Sequence, residues 1–203
     1  MTTADNGALS LSVTNNSSNT LTVILFQVYP GMDRFRASPL VWKATRLMTG
    51  SAGNFMWRPD FQFVAGTGQA RPGGKFRKST SLNVDPNSGA RYTLSYNGQF
   101  GFSASGGGGQ PGTLSLSMEG NIPQGEFAAG VGMDGDTVVV LAAYPNISVA
   151  FEAKPEYYIA AGDFKEGDIL NLDSVQRTRV DFNGKSSMKA EYTQDGSWRV
   201  TAM

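Results

Sequence analysis

The chain is 203 residues long and contains neither cysteine nor histidine. Without cysteine there is no disulfide, thiolate nucleophile or iron–sulfur cluster; without histidine there is no Ser-His-Asp triad and no imidazole metal site. Seventeen Lys plus Arg balance seventeen Asp plus Glu, so the surface carries no electrostatic footprint for nucleic acid or an anionic membrane. That balance also removes the repulsion that keeps copies of a chain apart. The length fits one domain over residues 1–203, able to bury roughly 70% of its unfolded surface without a covalent staple.

Residues 1–7 (MTTADNG) are polar and lack the basic start and apolar middle of a secretory signal. Cytoplasmic location is the default expectation, and non-classical release stays compatible with a cysteine-free chain. From Leu9 onward, apolar and polar residues alternate with period two, and no 3.6-residue pattern runs for a helical length. Leu9, Leu11 and Val13 alternate with Ser and Thr until Asn15, Asn16, Ser17, Ser18 and Asn19 break the run. Residues 20–28 (TLTVILFQV) then close a first hairpin. Residues 55–63 (FMWRPDFQF) crowd four aromatics around Pro59, with Arg58 and Asp60 expected to pair across the bend. The basic stretch 71–78 reads as a solvated loop running into an exposed strand.

Two turns can be read to the register. A three-residue Asn97-Gly98-Gln99 loop sets Tyr96 opposite Phe100 and Leu94 opposite Phe102. A three-residue Gln194-Asp195-Gly196 loop pairs Tyr192 with Trp198 and Ala190 with Val200, placing Gly196 in the left-handed region. Between them, residues 105–112 (SGGGGQPG) read as a hairpin loop. Leu114, Leu116 and Met118 alternate with serines, which gives one wet face and one dry face. Residues 138–141 (VVVL) are apolar on both faces and belong in a central strand. The whole predicts an all-β, single-domain antiparallel β-sandwich of about a dozen strands. No apolar run approaches the ~20 residues that a helix needs to cross a bilayer.

Carboxylates are the common catalytic device this composition permits. Asp134 and Asp136 form one acidic pair; Asp163, Glu166 and Asp168 form another cluster. Asp134 and Asp136 could hold calcium through oxygen ligands, although neither cluster has EF-hand spacing and Asp-Gly is a common turn dipeptide. Ser186 and Lys189 have Ser-x-x-Lys spacing, but on a strand these positions face opposite ways. No catalytic residues and no cofactor are assigned. The aromatics offer a binding candidate instead. Residues 55–63, with Trp57 and Asp60, read first as the centre of the sandwich core. The alternative is a platform for a sugar or another flat ligand using Trp42 or Trp57, with Tyr157 and Tyr158 as a second, separate candidate.

Asn15-Asn16-Ser17, Ile24-Leu25-Phe26-Gln27 and Leu40-Val41-Trp42-Lys43 follow a spacing that resembles the RhiA family of rhizobial rhizosphere-expressed proteins. The likeness continues through Trp57, Asp60, Phe61-Gln62-Phe63-Val64 and Gly66-Thr67-Gly68, then Pro72-Gly73, Gly130-Val131-Gly132-Met133 and Tyr144-Pro145-Asn146. It closes on Pro155, Tyr158, Ser187-Met188 and Trp198-Arg199-Val200. The resemblance implies a small β-sandwich protein tied to quorum-regulated or host-associated expression. It transfers no catalytic residue.

The sequence therefore points to a non-enzymatic protein that self-assembles or binds a protein partner. A carbohydrate-binding, lectin-like module is the alternative, and a pore-forming β-protein that uses residues 113–118 as a barrel hairpin is the second.

Overall fold

The computed structural model describes residues 7–203, and residues 1–6 lie outside it. Seventeen strands and one 3₁₀ turn (Met32–Phe35) make up its regular structure among the described residues. The strands form four sheets. The first holds β1 (Leu9–Asn15), β5 (Ala52–Trp57), β16 (Ser187–Tyr192) and β17 (Trp198–Ala202), in the order β17-β16-β1-β5. The second holds β2 (Leu21–Val28), β4 (Lys43–Leu47), β14 (Glu156–Ala161) and β15 (Arg177–Val180), in the order β15-β14-β2-β4. The third holds β3 (Ser38–Pro39), β6 (Phe61–Gly68), β7 (Phe76–Asn83), β11 (Phe127–Met133) and β12 (Asp136–Ala142), in the order β3-β12-β11-β6-β7. The fourth holds β8 (Arg91–Tyr96), β9 (Phe100–Ser105), β10 (Thr113–Met118) and β13 (Ser148–Glu152), in the order β13-β10-β8-β9.

Leu11 and Phe55 of the first sheet, Leu25 and Ile159 of the second, Phe63 and Val131 of the third, and Leu94 and Phe151 of the fourth all belong to one buried cluster. The arrangement is all-β and sandwich-like, as the alternation demanded. Both turn registers hold: Tyr96 faces Phe100 and Leu94 faces Phe102, while Tyr192 faces Trp198 and Ala190 faces Val200. Gly98 and Gly196 sit at φ 83° and 79°, the left-handed conformation such turns require.

Three expectations need correction. β1 and β2 do not form a hairpin. β1 pairs with β5 and, in parallel, with β16, whereas β2 pairs with β4 and β14. Asn15 causes the parting. Its side-chain amide donates to the carbonyls of Asn19 and Leu47 at 2.8 and 3.1 Å, and its oxygen accepts the Ser17 amide and hydroxyl at 3.0 and 2.7 Å. This knot, built on the fully buried Asn15, turns the chain out of one sheet and into the next. The glycine-rich stretch is not a hairpin loop either. β9 lies on one side of β8 and β10 runs parallel to β8 on the other, so residues 106–112 cross the end of β8. Gly109 donates its N–H to the Gly89 carbonyl at 2.8 Å, an approach with no room for a side chain. Finally, no ion pair joins Arg58 to Asp60 among the described residues.

β2 is apolar on both faces because both are covered. Val23 and Leu25 face the main core; Ile24 and Phe26 face a second cluster with Val41, Leu170 and Val175. Residues 162–176 form the cover, and backbone bonds strap them down. Gly167 donates to Val41 at 2.8 Å, Val41 to Asp168 at 2.9 Å and Leu170 to Pro39 at 2.9 Å. The acidic cluster expected on this segment is part of the strap: Glu166 accepts the Ala44 amide at 2.9 Å and Asp168 the Lys165 amide at 2.8 Å.

Gly130 sits beside the bulge of β11 against β12, where a Cβ would collide with the Val139 carbonyl oxygen. Gly130→Ala should therefore lower stability by about 1–3 kcal/mol in urea denaturation, the usual cost of overpacking a core. An unchanged midpoint would show that the two strands are not in this register.

Candidate functional site

Trp42, Trp57 and Tyr157 do come together, but inside the molecule. They are 3%, 2% and 8% exposed. Trp57 is the hub: its ring lies 5.4 Å from Trp42, 5.2 Å from Tyr157 and 5.4 Å from Phe182. Edge-to-face contacts of this kind favour a core over an open platform. Neither Trp42 nor Trp57 leaves a ring face for a sugar. Both indole N–H groups are buried without a hydrogen-bond partner, a cost the surrounding aromatic packing must offset. Asp60 lies exposed at the bend, and its backbone carbonyl accepts the Asp134 amide at 3.1 Å. Tyr158 is half-buried on the outer face of the second sheet, stacked 5.8 Å from Phe26, with its hydroxyl donating to Glu156 at 2.7 Å.

The calcium candidates are also placed differently. Asp134 at φ 54° and Gly135 at φ 87° form the tight turn between β11 and β12. The Lys43 ammonium sits 3.7 Å from Asp134 and 3.9 Å from Asp136, where a cation would have stood, and 4.8 Å from the Trp42 ring centre. No group of three or more acidic side chains gathers into a metal site among the described residues.

Next to the aromatic hub lies a polar chain within the core. Tyr29 donates to Gln27 Oε1 at 3.0 Å, Gln27 Nε2 donates to Met133 Sδ at 3.1 Å, and the Tyr157 hydroxyl reaches the same sulfur at 3.7 Å. Gln27 is fully buried. Burial pushes the Tyr29 phenol well above the usual tyrosine range, and the neighbouring Tyr157 adds to the shift. Burial also raises Tyr157; the Trp57 indole N–H opposes this without reaching hydrogen-bond geometry.

Two surface features carry recognition chemistry that the sequence did not single out. The first is an open groove of about 890 Å³. Leu141, Ala142 and Val149 from β12 and β13 give it an aliphatic floor, and Phe35 and Tyr144 stand at its walls. Tyr144 is 49% exposed because the Pro145–Asn146 turn, with Asn146 at φ 61°, projects it outward. Arg34, Arg36 and Arg71 line the same groove, against the single carboxylate of Glu126. Gln69 ties Arg71 to Glu126: its oxygen accepts from Arg71 Nε and Nη2 at 3.0 and 2.8 Å, and its amide donates to Glu126 at 2.7 Å. Arg34 and Arg36 have no ion pair among the described residues.

The second feature is the edge formed by β17. The Thr193 amide bonds Ser197 at 2.9 Å and the Met203 amide bonds Ser187 at 3.2 Å, which fixes the phase of the ladder. Arg199 and Thr201 therefore direct their amides to β16, while Trp198, Val200 and Ala202 direct theirs to the open side. The turn that sets this phase is braced by Asp195, which accepts from the hydroxyls of Thr193 and Ser197. The Thr193 hydrogen bond is the main reason its carboxyl lies below the usual range.

An all-β protein of four open sheets, with a cationic groove and a β17 edge whose outward amides are in a defined phase, is what the fold defines. The chain belongs to the RhiA family: the family model matches residues 6–203. It is 30% identical over 174 residues to Protein RhiA of Rhizobium leguminosarum bv. viciae, covering 84% of this chain and 75% of that protein. No solved structure matches it with significance.

Because Tyr29 and Tyr157 ionise less readily folded than unfolded, their contribution to stability is complete below pH ~10 and is lost as pH rises beyond it. Phenolate absorbance should show most of the seven tyrosines titrating first, with the remainder appearing only together with loss of structure. Titration of all seven in one step on a folded protein would contradict the buried network.

Proposed function

We propose that this RhiA-family chain works without catalysis, by associating through the open edge of β17, with a second copy of itself as the first partner. The observation that carries this reading is the row of outward backbone donors and acceptors at Trp198, Val200 and Ala202, held in phase by the Asp195 turn. An unpaired edge of this kind is a template for another strand. Zero net charge leaves little long-range repulsion to oppose the approach. Two copies pairing antiparallel about a two-fold axis would place Arg199 and Thr201 of both on one shared face, continuing the Ser10, Ser12 and Thr14 row of β1. The polar groups of the groove support the non-catalytic part of this reading. Its three guanidiniums do not shuttle protons near neutral pH, and its one carboxylate, Glu126, already accepts the Gln69 amide.

Sedimentation velocity from micromolar to millimolar protein should show reversible association. Ala202→Pro removes one outward N–H without touching a bond to β16, and should weaken association about tenfold because a symmetric pair loses it twice. The half-buried Trp198 is the tryptophan open to acrylamide in the monomer, and its quenching should fall as the protein concentrates. A strict monomer at every concentration, or equal association by Ala202→Pro, contradicts the proposal.

A further inference from the structure

We infer that the groove beside the 3₁₀ turn is a binding site for an amphiphile with an anionic head and an acyl tail, a fatty acid being the simplest example. This goes beyond association through β17, none of whose residues line the groove. Its capacity of about 890 Å³ lies within the range of small-molecule sites, and its floor is built from aliphatic side chains of two sheets. Leu141 and Val149 are almost fully buried where they form that floor, and Ile147 is half-buried. An alkyl chain would bury its own surface and that of the half-buried Phe35, Ala142 and Ile147 and the exposed Tyr144, at about 25 cal/mol per Å², with Leu141 and Val149 packed beneath them.

The charge is as selective as the shape. The whole chain is neutral, yet this groove collects three guanidinium groups against one carboxylate. Glu126 and Arg71 already face each other through Gln69, so the charge left over belongs to Arg34 and Arg36. The guanidinium of Arg34 folds back beside Gly31, within 4.0 Å of where a Cβ there would stand. Arg36 occupies a left-handed backbone conformation, φ 51° and ψ 37°, which a non-glycine residue adopts at a cost. Its amide is secured to the Asp33 carbonyl at 3.0 Å, so this turn presents both arginines from a fixed short element. Two unpaired guanidiniums at the rim suit a carboxylate head, which each can grip through two N–H groups. A neutral lipid leaves them unused, and a cationic one is repelled.

Calorimetry with dodecanoate, dodecanol and dodecyltrimethylammonium separates head from tail. Below their micelle-forming concentrations, dodecanoate should bind one molecule per chain with micromolar affinity. Dodecanol should bind at least about tenfold more weakly, and the cation weaker still. Arg34→Gln with Arg36→Gln should weaken dodecanoate about tenfold and leave dodecanol unchanged, because the aliphatic floor is intact. Both arginines are exposed, and far-ultraviolet circular dichroism confirms that the variant folds. Raising the salt should erode the acid-over-alcohol preference. Equal binding of acid and alcohol, unaltered dodecanoate binding by the double variant, or uptake of many molecules per chain would overturn the inference. Tight binding of an acidic apolar peptide in place of dodecanoate would also overturn it, and would assign the groove to a protein partner. The Ala202→Pro variant should bind dodecanoate as the parent does, so failure here is separable from failure of the edge pairing.

Discussion

The demand that β2 be buried on both faces organises the rest of the molecule. A strand reading VILFQ cannot leave either face in water, so its sheet must be covered twice. One cover is the shared core, where Leu25 and Val23 meet residues of the other three sheets. The other is the strap of residues 162–176, which contains no strand of its own and is held by backbone bonds to residues 39 and 41. β12 repeats the arrangement on a smaller scale, with Val140 outside the main core against Leu40 and Ile169. Of the acidic residues of the strap, Glu166 and Asp168 each accept a backbone amide and face water.

Double burial also explains the buried polar groups. Gln27 lies on the strand that must vanish into the core, and a buried amide is tolerated only when its hydrogen-bonding capacity is used. Met133 supplies one partner from the third sheet and Tyr29 the other from just beyond β2. The polar chain thus links the second and third sheets, as the aromatic hub at Trp57 links β5, β14 and the segment after β15. Asn15 does the same work at the corner. These groups specify which sheet each segment joins, information that apolar side chains alone do not contain.

The parts legible in the sequence are the local ones. Period-two alternation gives strands, and the Tyr192–Trp198 and Tyr96–Phe100 registers follow from matching apolar partners across a turn a few residues long. Sheet membership was not legible, because β1 meets β16 across nearly the whole chain and no local pattern encodes that pairing. For Trp42, Trp57 and Tyr157 a core and a ligand platform draw on the same residue types, and only burial separates them. The groove was missed because Arg34, Arg36, Arg71, Glu126 and Tyr144 arrive from four separate loops. Two faint signals did exist. One is an arginine pair after Gly31 with a single nearby carboxylate; the other is an aromatic placed directly before a Pro-Asn turn.

Strand-to-strand pairing of β17 with a second copy of the chain is the central proposal. Residue-resolved amide exchange at several protein concentrations tests it most directly. Arg199 and Thr201, already bonded to β16, should be protected in dilute solution, while Trp198, Val200 and Ala202 should exchange freely there and gain protection as concentration rises. Exchange at those three amides that stays fast at every concentration, or new protection confined to another strand, would contradict the account.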